Sequence, residues 1–138
     1  MSDKFKSGCL CGEVRYECSE KSISQFLCHC TDCQKATGYQ VSPGFMVKKS
    51  GAVITGSYLE HKIITASGRD MIIKFCSVCG SRIFEECIGM DEIYMFNTGS
   101  LDDQSVFEPE MHYWVQSITK WYQITDDLPQ YEKQPDVE

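Results

Sequence analysis

Three cysteines, Cys28, Cys30 and Cys33, fall within the six-residue stretch CHCTDC. A deprotonated cysteine is a strong zinc ligand, and zinc sites with three protein ligands keep the fourth tetrahedral position open for water or substrate. A zinc ion held in this way could bind a substrate thiol as thiolate or polarise a carbonyl oxygen. The spacing therefore predicts a catalytic zinc site formed by these three residues.

Three further residues are candidates for a fourth ligand at this site. His29 lies between two of the predicted ligands, and in extended backbone its side chain would face away from theirs. We therefore expect it to be a polar surface residue or a hydrogen-bonded one. Cys18 and Cys87 each end a strand-like run. Either could close the site as a fourth ligand, or pack in the core as an ordinary thiol. We favour the open site.

Two more cysteine pairs, Cys9-x-Cys11 and Cys76-x-x-Cys79, are each followed directly by glycine. The second pair has the pattern of a zinc knuckle, in which a tight turn points both sulfurs one way and glycine adopts a positive φ. Together the pairs supply four thiolates, a complete ligand set for a structural zinc ion. Tetrathiolate sites also bind iron, but the usual ferredoxin spacings do not occur here, so zinc is preferred.

Composition narrows the class of protein. The 138 residues include nine cysteines, and the N-terminal MSDKFKSGCLCG lacks the basic start and apolar stretch of an export signal, so we expect a cytoplasmic protein. The net charge of -7, with no basic cluster beyond Lys48-Lys49, disfavours nucleic-acid binding. No apolar run is long enough to cross a membrane. The length predicts one zinc-binding domain over residues 1–138.

The elements that must position these cysteines are short strands separated by Gly, Ser, Asp or Pro, which predicts an all-β domain. The predicted strands are EVRYEC, PGFMVKK, AVITG, YLEHKIITA, DMIIKFC, SRIFEEC and EIYMFNTG. Ser67-Gly68-Arg69 is expected at a hairpin tip. The segment CTDCQKATG is expected to hold a helical turn, with Thr31 or Asp32 as its cap and Gly38 at its end. Residues 3–7 and 135–138 are expected to be mobile ends.

Four segments in order, GCLCGEVRY, CHCTDCQKATG, FCSVCGSRIF and HYWVQSITKWYQITDDLPQYE, resemble the glutathione-dependent formaldehyde-activating enzyme family, whose relatives include the centromere protein V group. The likeness runs over about residues 8–131. It implies a fold of the β-tent type, with short antiparallel strands in two or three small sheets around a structural zinc. It also implies two zinc ions per chain, one structural and one catalytic, held by the two cysteine sets described above.

The same resemblance implies a carbon–sulfur lyase whose partners are a small thiol such as glutathione and a small aldehyde such as formaldehyde. The expected product is S-hydroxymethylglutathione. Gln34 stands where many members of the family carry Arg, and Tyr39 stands where Ser is frequent, so a cation for the acidic groups of glutathione is missing there. Lys35 is the nearest replacement in the sequence.

Two other classes of function are consistent with the same residues. The chain could be a non-catalytic, zinc-stabilised binding module, with late aromatic residues as its interaction face, although we expect those side chains to pack in the core and at its rim. They are Tyr113, Trp114, Trp121 and Tyr122. The three close cysteines could also serve thiol redox sensing or metal handling.

Overall fold

The computed structural model describes residues 4–65, 68 and 70–135. Ten strands, one α-helix and four 3-10 helices of three residues each make up the regular structure of this part of the chain. The strands are β1 (Phe5–Gly8), β2 (Arg15–Cys18), β3 (Ser24–Cys28), β4 (Ser42–Lys48), β5 (Ala52–Thr55), β6 (Tyr58–Ile63), β7 (Met71–Cys76), β8 (Arg82–Cys87), β9 (Ile93–Asn97) and β10 (Met111–Tyr113). Helix α1 spans Thr31–Thr37. None of the helices in the described residues is long and apolar enough to cross a membrane.

The strands form two sheets, and the fold is therefore all-β as the sequence predicts. A three-stranded sheet has the order β1-β2-β5, and a seven-stranded sheet has the order β10-β3-β4-β9-β8-β7-β6. Every pairing is antiparallel except that of β10, which runs parallel to β3 and brings a late segment of the chain beside Cys28.

The seven-stranded sheet has apolar side chains on both faces, because successive residues of a strand point to opposite sides. In β4, Phe45 belongs to the core that includes Tyr16 of the smaller sheet, whereas Met46 belongs to a second apolar cluster together with Cys28. The first core is dominated by stacked rings, such as Tyr16 and Phe96 with centroids 4.0 Å apart. The second face is left to form the wall of a cavity.

Two details differ from the sequence-based expectations, and two further expectations lie largely outside the described residues. Residues 4–7 are not a mobile end, because Phe5–Gly8 pairs with β2 and its residues Phe5 and Ser7 are buried. Strands β3 and β10 were not predicted, since β3 carries too little polar alternation and β10 is only three residues long. The hairpin tip expected at 67–69 and the mobile end expected at 135–138 are described only at Gly68 and Pro135.

Candidate functional site

The sulfurs of Cys9, Cys11, Cys76 and Cys79 converge, and all four lie within 4.8 Å of one another. The Cys9 and Cys11 sulfurs are 3.6 Å apart, and those of Cys11 and Cys76 are 3.7 Å apart. Tetrahedral zinc with Zn–S bonds of about 2.3 Å places its sulfur ligands about 3.8 Å from one another. The chain thus brings the two predicted pairs together in an arrangement that fits a metal ion.

Backbone N–H groups around this cluster are directed at the sulfurs. The Val14 N–H donates to Cys9 Sγ at 3.3 Å, and the N–H groups of Val78 and Cys79 donate to Cys76 Sγ at 3.4 Å. Gly80 completes the second turn with φ at 77°, a conformation that L-residues resist. These donors stabilise negative charge on sulfur, which favours thiolates at this position.

Ser81 joins the two cysteine loops. Its hydroxyl oxygen accepts a hydrogen bond from the Leu10 N–H at 3.3 Å and lies 3.1 Å from Cys79 Sγ. Because the hydroxyl is free to donate to sulfur, it lowers the pKa of Cys79 to about 5. The turn that carries Cys76 and Cys79 therefore presents a thiolate to the loop that carries Cys9 and Cys11.

The three cysteines of the CHCTDC stretch also meet. Cys28 ends β3 between Ser42 of β4 and Tyr113 of β10, and Cys33 lies in the first turn of α1. The Cys28 and Cys33 sulfurs are 3.5 Å apart, and all three sulfurs are within 4.8 Å of one another. This second cluster could hold a metal ion with three thiolate ligands.

Cys30 has a second role as the N-cap of α1. Its backbone is extended, with φ at -65° and ψ at 152°, and its sulfur accepts a hydrogen bond from the Cys33 N–H at 3.1 Å. The expectation that Thr31 or Asp32 would cap the helix was therefore wrong, because the helix begins one residue earlier and uses sulfur as the acceptor. Gly38 ends the helix in the left-handed conformation, as predicted.

The three thiols cannot all ionise together without a cation. Hydrogen bonds from the Cys28 and Cys33 thiols, with the N–H groups of Cys33 and Asp32, lower the pKa of Cys30 to about 3. In return, donation toward Cys30 raises the pKa of Cys28 to about 12, and the pKa of Cys33 is raised by both neighbours. A divalent cation among the sulfurs would remove this mutual repulsion, so the donor set fits a bound metal.

The cluster opens into a cavity on the second face of the large sheet. Its walls are mostly apolar, with Phe26, Met46, Met71 and Met95 contributed by four strands. Glu85 also lines this cavity, and 7% of its side chain is exposed. An apolar pocket with a few polar groups is the usual form of a small-molecule site. We refer to it as the cysteine cavity.

Neither proposed additional cysteine joins the cluster. Cys87 lines the cysteine cavity, but within the described residues its sulfur is not among the donor atoms that lie within 4.8 Å of one another. Cys18 is packed in the ring-rich core between the two sheets, and burial raises its pKa to about 12. The structure therefore brings together three endogenous sulfurs here, not four.

His29 is hydrogen-bonded rather than exposed, so the second of its two expected roles is the one observed. Its side chain is fully buried, and Nε2 lies 2.9 Å from Nδ1 of His112. His112 Nε2 lies 3.0 Å from the Asp126 carboxylate, which can only accept when ionised, so His112 donates from Nε2. When His112 is neutral, its Nδ1 accepts and His29 donates from Nε2. Burial lowers the pKa of His29 to about 4 and keeps it neutral.

Gln34 and the late aromatic residues tie the C-terminal segment to the cysteine loop. The Gln34 side-chain amide donates to the carbonyl oxygens of His29 at 2.9 Å and Ser117 at 3.0 Å. Tyr113 is buried and stacks on a phenylalanine of β3, and the Tyr122 ring meets His29 edge-on. Trp114 packs against the apolar cluster that contains Cys28 and Met46, whereas Trp121 is 71% exposed. Packing therefore accounts for most of this aromatic group.

Two charged residues of the site were missed in the sequence. Glu85 shares the strand β8 and its side-chain parity with Cys87, which places both on the cavity face. Arg82 forms an ion pair with Glu85 three residues away, although residues so spaced in a regular strand face opposite sides. A β-bulge between β7 and β8 at this point brings them together. The alternation along β8 puts Glu85 on the same face as Cys87, and this pattern could have identified Glu85 from the sequence. No sequence pattern indicates the bulge that brings Arg82 to it.

Comparison with known proteins identifies a family for the chain and a solved structure with a similar fold. The family model for the glutathione-dependent formaldehyde-activating enzyme matches residues 4–117. None of the curated proteins compared with the chain matches it significantly. A crystal structure of a Rhodobacter sphaeroides protein has a TM-score of 0.56 and 18% sequence identity, over 75% of this chain and 96% of that one. The latter likeness concerns the fold. The chain belongs to the family of glutathione-dependent formaldehyde-activating enzymes.

Proposed function

We propose that this protein adds a small thiol such as glutathione to formaldehyde or a related aldehyde in the cysteine cavity, as a carbon–sulfur lyase working in the direction of condensation. The observation that carries the proposal is the position of three sulfurs at the wall of an apolar cavity that also contains a buried carboxylate. The family supports the same reaction class.

Zinc is the proposed metal at both clusters. Cys9, Cys11, Cys76 and Cys79 would hold a structural ion, and Cys28, Cys30 and Cys33 a catalytic one. When bound at the three-cysteine cluster, zinc would supply an electrophilic centre that lowers the pKa of the substrate thiol and leaves one coordination position to it. Cysteine thiolates would thus serve as ligands in both a structural and a catalytic zinc site.

A side chain of the cavity would transfer the thiol proton to the oxygen of the aldehyde. The new C–S bond forms as the sulfur lone pair attacks the carbonyl carbon, the C=O π bond breaks, and the thiol proton must reach the resulting oxygen. We assign this transfer to a carboxylate oxygen of Glu85, which takes the proton from sulfur and returns it to the alkoxide. No oxidant or reductant is required.

The apolar walls contribute by excluding water. Formaldehyde is hydrated in bulk water, and only the free carbonyl accepts a thiol. Phe26, Met46 and Met95 surround the reacting space with side chains that offer no hydrogen bonds to a hydrate. Such a cavity favours the free aldehyde and strengthens each polar interaction within it.

The test is to replace Cys30 with Ser and measure the rate of thiol–formaldehyde exchange by NMR, with the spontaneous rate subtracted. Cys18→Ser is the matched control, because Cys18 is a buried thiol outside both clusters. We expect Cys30→Ser to lose on the order of 100-fold or more of the enzyme-dependent rate, while the control retains it. Equal rates for the two variants would overturn the proposal.

A further inference from the structure

Strand β6 (Tyr58–Ile63) forms one edge of the seven-stranded sheet. It pairs with β7 on one side, and among the described residues no backbone hydrogen bond reaches its other side. The edge at β10 is closed instead, because the His112 N–H donates to the Pro129 carbonyl oxygen and the His112 carbonyl oxygen accepts from the Tyr131 N–H, both at 2.9 Å. An open edge strand presents N–H and C=O groups that can pair with another strand.

The outward-pointing backbone groups of β6 belong to its even-numbered residues, Tyr58, Glu60 and Lys62. On the inner side, the Ser77 N–H donates to the Ser57 carbonyl oxygen at 3.1 Å, one position before the strand begins. Hydrogen-bonded and non-hydrogen-bonded pairs alternate along an antiparallel ladder, so the bonds to β7 are made by the odd-numbered residues. A partner strand would therefore bond to Glu60 and Lys62, which lie in the middle of the open edge.

A row of ion pairs of alternating sign ends at this edge. Lys49 pairs with Glu86, and a second oxygen of Glu86 lies 2.7 Å from Nζ of Lys74. Lys74 in turn pairs with Glu60 on the neighbouring strand, and the side chain of Glu60 is 53% exposed. The row therefore stops at an exposed carboxylate, and the group that would continue it across a new strand is a cation.

We propose that β6 pairs with β6 of a second copy of this chain, antiparallel and with the two-fold axis at His61. Symmetric registers that overlap most of the strand and keep the outward-pointing residues opposite one another have their axis at residue 60, 61 or 62. An axis at Glu60 would oppose two carboxylates, and one at Lys62 would oppose two ammonium groups. The axis at His61 places Glu60 opposite the partner's Lys62, and Lys62 opposite the partner's Glu60. This inference does not depend on the proposed reaction.

The same register covers apolar side chains that now contact solvent. Leu59 is 53% exposed and would lie opposite the partner's Ile63. Ile64, the residue after the strand, is 81% exposed and would meet the partner's Tyr58. Each contact occurs twice in a two-fold dimer. Charged side chains can also protect an edge from pairing, but here Glu60 and Lys62 complement each other and add no net charge to an interface between two acidic chains.

Sedimentation velocity of the full chain over a range of concentrations tests the pairing. We expect a reversible dimer whose dissociation constant rises about tenfold or more in Lys62→Glu and in Glu60→Lys, because each change opposes like charges twice. An equimolar mixture of the two variants should dimerise again, since a strand with two carboxylates then faces a strand with two ammonium groups. Circular dichroism checks that each variant is folded.

Hydrogen exchange of the wild type gives a second readout that needs no variant. The amides of Glu60 and Lys62 point away from β7, so the monomer leaves them open to solvent and the dimer bonds them. We expect both amides to exchange more slowly at high protein concentration than at low concentration. Association that leaves their exchange unchanged would place the interface elsewhere and overturn the proposal.

Lys6→Glu is the control, because Lys6 is also an exposed strand lysine paired with a glutamate, Glu17, and the change in net charge is the same as in Lys62→Glu. It should leave the dissociation constant within about twofold of the wild-type value. A wild type that stays monomeric would overturn the proposal, including one whose edge binds an extended peptide of another protein. So would an equal loss of dimer in Lys6→Glu, or a mixture of the two folded variants that stays monomeric.

Discussion

The two cysteine clusters use the same donor atom but are built in opposite ways. The four-cysteine cluster joins residues 65 positions apart, whereas the paired sulfurs of the three-cysteine cluster are five positions apart. The first is surrounded by backbone N–H donors and tight glycine turns, and the second forms part of the wall of an apolar cavity. Long-range closure suits a structural ion, and local crowding beside a cavity suits a reactive one.

The number of thiolates also separates the clusters. Four sulfurs satisfy a tetrahedral ion completely, so nothing else need approach it. Three sulfurs leave a position that a substrate can take, and the two remaining thiols of the chain, Cys18 and Cys87, stay outside the group. The difference predicts that damage to one cluster affects folding and damage to the other affects chemistry.

The largest expected effect is on stability. Cys76→Ser removes a ligand from the cluster that joins the β1–β2 loop to the β7–β8 turn. Since a metal ion bound there would contribute to the free energy of folding, we expect the melting temperature to fall by about 10 °C or more. Cys33→Ser, in the other cluster, should lower it by less than about 5 °C. Thermal unfolding followed by circular dichroism checks both, and the reverse order would contradict the comparison.

Metal removal should occur in two steps. A chelator should take the ion of the three-cysteine cluster first, because that site has fewer ligands and is open to the cavity, with about one ion per chain released while the far-ultraviolet spectrum is unchanged. The second ion should leave only as the chain unfolds. Zinc release followed by a colorimetric indicator, beside circular dichroism, makes the measurement. Simultaneous release of both ions would mean that the clusters do not differ in access.

Glu85→Gln tests whether the cavity supplies proton transfer. It keeps the size of the side chain and removes the base, so kcat should fall by about 10- to 100-fold while KM for the thiol changes less. Glu86→Gln is the neighbouring control, because Glu86 is paired with Lys49 and Lys74 and does not line the cavity. If both variants show the same loss of kcat, Glu85 has no special part in the reaction.

The smallest expected effect concerns the buried histidine pair. Asp126 holds His112 in the tautomer that accepts from His29, which lies between two cysteines of the cavity cluster. Asp126→Asn loosens that support, and we expect the zinc affinity of the three-cysteine cluster to fall by a few-fold, with the four-cysteine cluster unaffected. Competition titration with a zinc indicator measures both affinities. Equal weakening of the two clusters would show a general loss of packing instead.

Sequence patterns were sufficient for the two cysteine clusters and for most strands, because ligand spacing and period-two alternation are local properties. They were insufficient for Phe5–Gly8, which forms a strand only because β2 pairs with it. The Arg82–Glu85 pair depends on a bulge and the His29–His112 contact on a parallel pairing of β10. These features arise from tertiary contacts between segments far apart in the chain, so no local window contains them.

We infer that three sulfurs, and no fourth from the chain, hold a second metal ion beside the cavity. Native mass spectrometry of protein purified without chelator counts the ions. We expect two zinc ions per wild-type chain and one in Cys30→Ser. A single ion in the wild type, or two in the variant, would contradict it.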